Sequence, residues 1–191
     1  MSKPNQVQTN AVEFDRSLIR QAQSGSRNAL DQVLSPLQQP VLRFLLRFLN
    51  HADAKDVAQE TFILVVRKIS QFEFRSTLKS WVFRIAYRQM INFRKSNSNQ
   101  PHFSIEADEV QVQSAQMAEE DRSAMVLEMV NQLPNRQREV VWLRIEEGLT
   151  YREISEICEQ PLNTILSRMH QAKKRLANQL EKIGIQVRSL G

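Results

Sequence analysis

Hydrogen-bonding and cationic side chains recur at helical spacing near the end of the chain, in residues 162–180. No acid occurs between Thr164 and Gln179. Amide, hydroxyl and guanidinium groups can hydrogen-bond to base edges, and lysine and arginine can also hold phosphates. The segment therefore predicts a surface that binds nucleic acid, with these candidate residues: Asn163, Thr164, Ser167, Arg168, Gln171, Lys173, Lys174 and Arg175.

Two helices joined by a tight turn must position that surface. Thr150 and Glu153 have the spacing of a capping box and open the first helix. Residues 159–162 form the predicted turn, and Asn163 is the predicted N-cap of the second helix. The second helix has an apolar stripe that we expect to pack inward: Leu162, Ile165, Met169, Ala172, Leu176, Leu180 and Ile183.

This pattern predicts a helix-turn-helix, whose second helix places its first residues at base edges in the major groove. The predicted base contacts are Asn163, Thr164, Ser167 and Arg168. Arg168 is suited to guanine, whereas the later cations are suited to phosphates. The alternative is an amphipathic helical hairpin with a solvated basic face.

A second basic segment covers residues 74–105, which include six lysines and arginines and no acid. A helix predicted from about Thr77 to about Lys95 places Arg84 and Arg88 on the same face as Lys95, with aromatic residues among them: Trp81, Phe83 and Tyr87. Aromatic rings stack on unpaired bases while cations hold the backbone, so this helix predicts binding to a melted or single strand. The alternative, that Trp81 packs in the core, is favoured by the usual burial of aromatic residues in small helical domains.

An acidic face is predicted on the helix that starts near Asp53. Asp53, Asp56 and Glu60 follow one another at three- and four-residue spacing. They are interpreted either as a docking site for a basic partner or as acids that stabilise the start of the helix through its dipole. The predicted apolar face of the same helix is Ala58, Phe62, Val65 and Ile69.

The composition of the 191-residue chain predicts an all-α protein with packed cores, because 41% of the residues are hydrophobic and only 4 are glycine. The single cysteine, Cys158, excludes an internal disulfide and is interpreted as a packing residue in a reducing compartment, the cytoplasm. No signal peptide, membrane span, phosphate-binding loop or nucleophile motif is found. The three histidines lie far apart, so the sequence predicts no metal site, no cofactor and no small-molecule substrate.

Two small helical domains are predicted, at residues 14–96 and 121–185, between a disordered N-terminus (1–13) and a short tail (186–191). Residues 97–120 form a predicted flexible linker, since six acids and no base occur from Glu106 to Asp121. In the first domain Asp15 and Ser26 are predicted helix caps. Two prolines, Pro36 and Pro40, are expected to kink or break the second helix.

Both domains resemble the bacterial sigma factors of the sigma-70 superfamily, in the small two-domain extracytoplasmic-function (ECF) group. The first domain resembles the family at residues 53–62, DAKDVAQETF, and at residues 80–86, SWVFRIA. The second resembles it at residues 133–141, LPNRQREVV, at 148–154, GLTYREI, and at 164–168, TILSR. One departure concerns the loop before the second of these motifs, where the family usually has glycine and this chain has Phe74.

The resemblance implies a function without catalysis: binding to the largest and second-largest subunits of core RNA polymerase and direction of transcription from specific promoters. It implies that the second domain recognises the minus-35 promoter element through the surface at residues 162–180. The residues implied to bind polymerase are Asp53, Asp56, Gln59, Glu60 and Phe62. Those implied to capture the melted minus-10 strand are Arg75, Ser76, Thr77, Lys79, Trp81, Arg84, Tyr87, Arg88 and Asn92.

Sigma factors of this group are commonly held inactive by an anti-sigma factor, often membrane-anchored, so the resemblance implies such a partner. Two other classes remain open on the residues alone. A conventional transcription regulator would use the helix-turn-helix without joining polymerase. A nucleic-acid-processing enzyme would need clustered carboxylates or a His/Cys set, which the sequence does not offer.

Overall fold

The computed structural model describes residues 14–97, 119–183 and residue 185. The described residues form eight α-helices and one 3₁₀ turn, without a strand in these ranges. The first domain contains α1 (Arg16–Gln23), α2 (Arg27–Leu46), α3 (His51–Lys68), the 3₁₀ turn (Ile69–Gln71) and α4 (Leu78–Ser96). The second contains α5 (Glu119–Asn131), α6 (Asn135–Ile145), α7 (Tyr151–Cys158) and α8 (Leu162–Lys182). The predicted all-α, two-domain fold is therefore confirmed.

Side chains cap the helices of the first domain. Asp15 accepts a hydrogen bond from the backbone N–H of Ser17, and Ser26 accepts one from that of Ala29, as predicted. Thr77 does the same for α4 by accepting from Ser80. These bonds satisfy backbone donors that the first helical turn leaves without partners.

The prolines were predicted to kink or break the second helix, and the break does not occur, because α2 continues through both Pro36 and Pro40. Each proline removes one helical hydrogen bond and costs about 3 kcal/mol in a helix interior. Pro36 faces solvent, and the opposite face of α2 buries seven apolar residues: Ala29, Val33, Leu34, Leu37, Val41, Phe44 and Leu45. Burial of a large apolar side chain contributes about 1.5–3 kcal/mol, so this face outweighs the cost of the prolines.

The inward face of α3 differs from the predicted one. The buried residues are Ala54, Val57, Thr61 and Val65. Ala58 and Phe62 are only partly buried, because they turn toward a groove between α2 and α3. Ile69, the last predicted member of the stripe, lies beyond α3 in the 3₁₀ turn and is buried.

Phe74, in the loop before α4, adopts a left-handed backbone conformation with a φ of 58°. This is the position at which the resemblance called for glycine, the residue that tolerates such a conformation without cost. The Phe74 ring packs on the Phe72 ring with centroids 4.9 Å apart, and the guanidinium groups of Arg16 and Arg20 lie 5.8 and 6.0 Å from its centroid. Packing thus accompanies the strained backbone at this position.

The second domain contains the predicted helix-turn-helix, formed by α7 and α8. Thr150 and Glu153 form the predicted capping box. Glu159 ends α7 in a left-handed conformation, with a φ of 54°. The prediction that Asn163 is an N-cap is wrong: α8 begins at Leu162 after Pro161, whose fixed φ suits a helix start, so Asn163 is already helical.

The predicted N-terminus, most of the predicted linker and the predicted tail lie outside the described residues. Within the described part of the chain, no helix is long and apolar enough to cross a membrane.

Candidate nucleic-acid and polymerase interfaces

The outer face of α8 is open to solvent along its length. Ile165, Met169 and Ala172 are at most 5% exposed and turn toward the domain, as predicted. The prediction is wrong for Leu162, the first member of the stripe, which is 39% exposed because it lies at the start of α8. The opposite side presents exposed candidates: Asn163, Ser167, Gln171, Lys173, Lys174 and Arg175. The three cations follow the last polar candidate, Gln171, by two to four residues, so the face has a polar start and a basic continuation.

Two predicted base contacts lie at the edge of this face instead. Thr164 and Arg168 are half-buried. The Arg168 guanidinium turns back toward the turn between the helices, where its Nη2 lies 3.4 Å from Oε1 of Gln160. A helical step of about 100° per residue places position 168 well away from Asn163 and Ser167, which explains the difference.

The basic face of α4 contacts the second domain. Lys79 Nζ lies 2.8 Å from Oε2 of Glu147. Arg84 Nη2 lies 2.8 Å from Oε2 of Glu156, and Arg88 pairs with Glu159. The partners follow the same order along both segments, so α4 lies beside residues 147–159. In each pair the cation belongs to the first domain and the acid to the second.

The Lys79–Glu147 pair is the most buried of the three, with side chains 13% and 2% exposed. The Lys79 ammonium also donates to the backbone carbonyl of Glu147 at 2.8 Å. The outer pairs, at Arg84 and Arg88, are substantially solvated. Burial strengthens the Coulombic attraction within a pair but requires desolvation of both ions, so the pairs specify the docking geometry more than they stabilise it.

Glu153 of the capping box also joins the two domains. Its Oε1 accepts hydrogen bonds from Ser80 at 2.6 Å and from Thr77 at 3.1 Å. Its Oε2 accepts from the backbone N–H and the hydroxyl of Thr150. Burial opposes ionisation of this carboxyl, but the hydrogen bonds from Ser80, Thr150 and Thr77 outweigh it and lower the Glu153 pKa below its ordinary value.

A buried polar cluster surrounds Tyr87 where α4 meets α6. The Tyr87 hydroxyl donates to Oε2 of the fully buried Glu139 at 2.8 Å and accepts from Arg136 at 2.6 Å. Arg94 lies 3.6 Å from the other oxygen of Glu139. Burial, together with the nearby Cys158 and Glu139, raises the pKa of Tyr87. The hydroxyl thus remains protonated and available to donate.

Cys158, at the end of α7, is buried next to this cluster. Burial and the Glu139 carboxylate raise the pKa of its thiol to about 12, against a smaller opposing effect of Tyr87. A thiol in this state is a weak nucleophile near neutral pH. This environment agrees with the prediction that Cys158 is a packing residue.

The interface continues onto α2 and α6. Arg47 lies over the Trp142 ring at 4.0 Å, and its Nη2 is 3.4 Å from Oε1 of Glu146. Arg138 lies over the Phe48 ring at 5.0 Å. Each of these cations contacts an aromatic ring of the other domain, and such cation–π contacts contribute most when they are shielded from water.

Five of the nine predicted minus-10 residues therefore face the second domain: Thr77, Lys79, Arg84, Tyr87 and Arg88. Arg75 instead pairs with Glu73 at 2.7 Å and is strongly exposed. Trp81 is half-buried, with its ring 5.4 Å from that of Phe72, which favours the core alternative for this residue. Asn92 is exposed and Ser76 is half-buried.

The acidic partners of α4 were not identified from the sequence. A signal existed, because Glu153, Glu156 and Glu159 recur every three residues on and just after α7. Their three-residue spacing is close to the four-residue spacing of Ser80, Arg84 and Arg88, so the two sets of side chains can pair along adjacent segments. What the sequence lacks is a local indication that these two distant segments lie side by side.

The predicted polymerase-binding residues lie along α3. Asp56, Gln59 and Glu60 are exposed. Asp53 is hydrogen-bonded to Asn50 through both its backbone and its side chain, which favours its alternative role in helix stabilisation. Phe62 is half-buried and lines the groove between α2 and α3.

That groove has a volume of about 610 Å³. Ile63 and Val66 form part of its wall and are 44% and 45% exposed. Gln59 and Phe62, two of the predicted docking residues, lie in the same wall. The arrangement combines an apolar groove with a polar margin that includes Lys55 and Arg67, which suits a protein partner. Among the described residues, no group of three His, Cys, Asp or Glu side chains could hold a metal ion.

Comparison with known families and proteins gives consistent matches to both domains. The family model "Sigma-70 region 2" matches residues 34–100, and the model "Sigma-70, region 4" matches residues 123–176. Together the two matches cover more than half of the chain, in the same order as the two helical domains.

Curated relatives match over almost their full length. The chain is 27% identical over 182 residues to the ECF RNA polymerase sigma-E factor of Haemophilus influenzae, covering 88% of this chain and 96% of that protein. It is 28% identical over 185 residues to the RNA polymerase sigma-H factor of Pseudomonas aeruginosa, covering 90% and 96%. Among solved structures, the sigma factor RpoE in complex with the anti-sigma factor NepR from Bartonella quintana matches with a TM-score of 0.57 and 25% identity, over 79% of this chain and 96% of that one.

Proposed function

The chain belongs to the sigma-70 family, in its extracytoplasmic-function group, and from this membership we propose that it binds core RNA polymerase and directs transcription initiation at specific promoters. The observation that supports the proposal is the ordered pair of family matches, one on each helical domain. Its relatives are sigma factors, which are not enzymes.

The second domain is proposed to bind duplex DNA at the minus-35 element. The exposed face of α8 supports this role, because its polar start can contact base edges while Lys173, Lys174 and Arg175 hold phosphates. Phosphate contacts position the helix, and the residues of the first two turns select the sequence.

The first domain is proposed to bind the melted minus-10 strand through α4. Its cations and aromatic residues suit an unpaired strand. Since Lys79, Arg84 and Arg88 contact acids of the second domain in the closed arrangement described above, strand binding requires the two domains to separate. We propose that binding to polymerase holds them apart.

Docking on polymerase is proposed to use the exposed acids of α3 and the groove beside them. Asp56→Arg reverses a charge on the exposed surface of α3 without disturbing the core, because Asp56 is exposed. We expect it to weaken binding to core polymerase strongly. Asp31→Arg, at an exposed position of α2, makes the same charge change and is expected to leave binding unchanged. Equal binding by Asp56→Arg and the parent chain would show that the docking face is misassigned.

Run-off transcription tests the proposed function directly. Purified bacterial core polymerase is incubated with fragments of the source genome, with and without the chain. New discrete start sites that require the chain are expected, and their upstream sequences define both promoter elements. If no new start appears while the chain alone binds promoter duplex tightly, the proposal fails and the conventional regulator replaces it.

We extend the proposal to control by an anti-sigma factor, on the support of a similar solved sigma factor that is bound to one. The proposed site of action for the chain is the cytoplasm, where polymerase works. A protein that copurifies with the chain from source cells should abolish the chain-dependent starts when added in equimolar amount. If each copurifying protein leaves those starts unchanged, this extension is wrong, whereas the proposed sigma activity stands.

A further inference from the structure

An exposed leucine lies among the polar residues that open the recognition helix. Leu166 of α8 is 41% exposed, although its neighbours in the chain, Ile165 and Ser167, are a fully buried core residue and an exposed polar residue. Residues three and four apart share a helix face, so Leu166 stands between Asn163 and His170 on the outer side of α8. The sequence analysis placed Leu166 neither in the inner stripe of this helix nor among the candidate DNA contacts.

Two of the predicted base contacts near Leu166 are less exposed than Leu166 itself. Arg168 turns back toward Gln160, and Thr164 is half-buried, so neither stands at the centre of the exposed face. The cations that suit phosphates begin only at Lys173, about two turns after Leu166. In a helix-turn-helix the residues of the first turns reach the base edges, and Leu166 is the fifth residue of α8.

Major-groove chemistry restricts what a leucine can recognise. A leucine side chain has no donor or acceptor, so it cannot bond to guanine, cytosine or adenine edges. The C5 methyl group of thymine is the apolar feature that the major groove presents, and apolar side chains contact it. A desolvated contact between the two removes apolar surface of both from water.

We propose that Leu166 selects thymine at one position of the minus-35 element by packing against its C5 methyl group. The inference rests on the proposed function, because it requires α8 to enter the major groove of promoter duplex. Leu166 acts as a specificity residue in the assembled polymerase complex, beside the hydrogen-bonding residues Asn163 and Ser167.

Replacement of thymidine by deoxyuridine tests the proposed contact directly. Uracil keeps the base pair and lacks only the methyl group that Leu166 is proposed to contact. Holoenzyme is assembled from core polymerase and the full chain, and its binding is measured on promoter duplexes in which each minus-35 thymine is replaced singly. We expect weaker binding at one position by about fourfold, which corresponds to the burial of one methyl group.

The Leu166→Ala variant then completes a double-mutant cycle. It should bind the thymine promoter more weakly than the parent chain and lose the penalty for uracil at that one position. Because Leu166 is half-exposed, the variant is expected to fold, and its thermal unfolding verifies this. Leu162→Ala is the matched control: Leu162 is 39% exposed one turn earlier, and this variant should keep the uracil penalty.

The possible outcomes distinguish a failure of the Leu166 inference from a failure of the proposed sigma-factor function. Promoter-specific transcription without a uracil penalty at any position overturns the role of Leu166 and leaves the sigma-factor function intact. A penalty that persists in Leu166→Ala, or that disappears in Leu162→Ala, also overturns it. Failure of the chain to direct polymerase to any promoter overturns the proposed function and, with it, this inference.

Discussion

Arg84 of α4 and Glu156 of α7 form an ion pair across the two domains, with 2.8 Å between Nη2 and Oε2. Arg84 was expected to face a DNA strand, and it faces a carboxylate of its own chain. In the neighbouring pairs Lys79–Glu147 and Arg88–Glu159, a glutamate carboxylate likewise takes the place that a DNA phosphate was expected to have. Acids of the second domain therefore occupy the surface with which the first is proposed to hold promoter DNA.

Neutralising the solvated acids of this interface should favour separation of the domains. The double variant Glu156→Gln/Glu159→Gln removes the partners of Arg84 and Arg88 and leaves those cations in place. Because exposed ion pairs contribute about 0–1 kcal/mol each, we expect the free chain to bind an unpaired minus-10 oligonucleotide about two- to tenfold more tightly. Fluorescence anisotropy measures this binding.

The control for charge alone is Glu128→Gln/Glu181→Gln, which makes the same change on α5 and α8. It should raise affinity only slightly, through the more positive net charge. Equal gains in the two double variants would contradict a role of the interface in blocking strand binding.

Acidification should open the interface through Glu153. Its pKa is lowered in the closed structure, so the ionised carboxylate stabilises that structure above the ordinary glutamate pKa of about 4.5. This stabilisation is lost as the pH falls through the lowered value, when the carboxyl takes up a proton. Energy transfer between dyes on the two domains should therefore decrease as the pH falls below the ordinary glutamate value of about 4.5.

Glu153→Gln separates this effect from the titration of other acids. Glutamine keeps the size of the side chain and can still cap the helix. The variant should be more open than the parent at pH 6 and should change less with acidification. Identical pH curves for the two proteins would exclude Glu153 as the responsible group.

The thiol of Cys158 should react slowly in the folded chain. Its pKa is raised from 9.0 to about 12, mainly by burial, which leaves about a thousandfold less thiolate at pH 8. Alkylation by iodoacetamide at that pH should be at least about a hundredfold slower than in urea. Mass spectrometry measures the rate, and a native rate close to the unfolded one would contradict the burial of this thiol.

At position 74 a glycine variant should be more stable than an alanine variant, which is the opposite of the usual order within a helix. A φ of 58° strains any residue with a β-carbon by about 1 kcal/mol, and glycine avoids this cost. Both Phe74→Gly and Phe74→Ala lose the packing on Phe72. Phe74→Gly should therefore be more stable than Phe74→Ala by about 1 kcal/mol in urea denaturation.

At an exposed position within a helix, we expect the opposite order of stability for glycine and alanine variants. At Gln32 of α2, the glycine variant should be less stable than the alanine variant, since glycine lowers helix stability. If alanine is the more stable residue at both positions, the left-handed conformation of Phe74 is not maintained in solution.

The features that the sequence predicted depend on neighbouring residues. The capping box of Thr150 and Glu153 and the inner stripe of α8 follow from spacing alone. Cap placement failed at Asn163, because Pro161 starts the helix earlier. The expected break at Pro36 failed because the buried face of α2 outweighs two lost hydrogen bonds.

Contacts between distant segments could not be predicted in this way. Glu139 and Tyr87 are separated by 52 residues, and nothing local indicates that one buried carboxylate meets one buried hydroxyl. The basic run of α4 was predicted to be a nucleic-acid surface, and that role stays a prediction. Its anions in the free chain, however, are glutamates of the second domain, and only the tertiary structure reveals them.

If α4 binds the melted strand as proposed, the carboxylates that pair with it act as a tethered competitor. A free strand must displace groups whose local concentration is fixed by the chain itself and does not fall on dilution. The apparent affinity for the strand is then the intrinsic affinity multiplied by the fraction of molecules that are open. The affinity of the free chain for an unpaired strand can consequently be tuned by substitutions at the Glu156 and Glu159 positions.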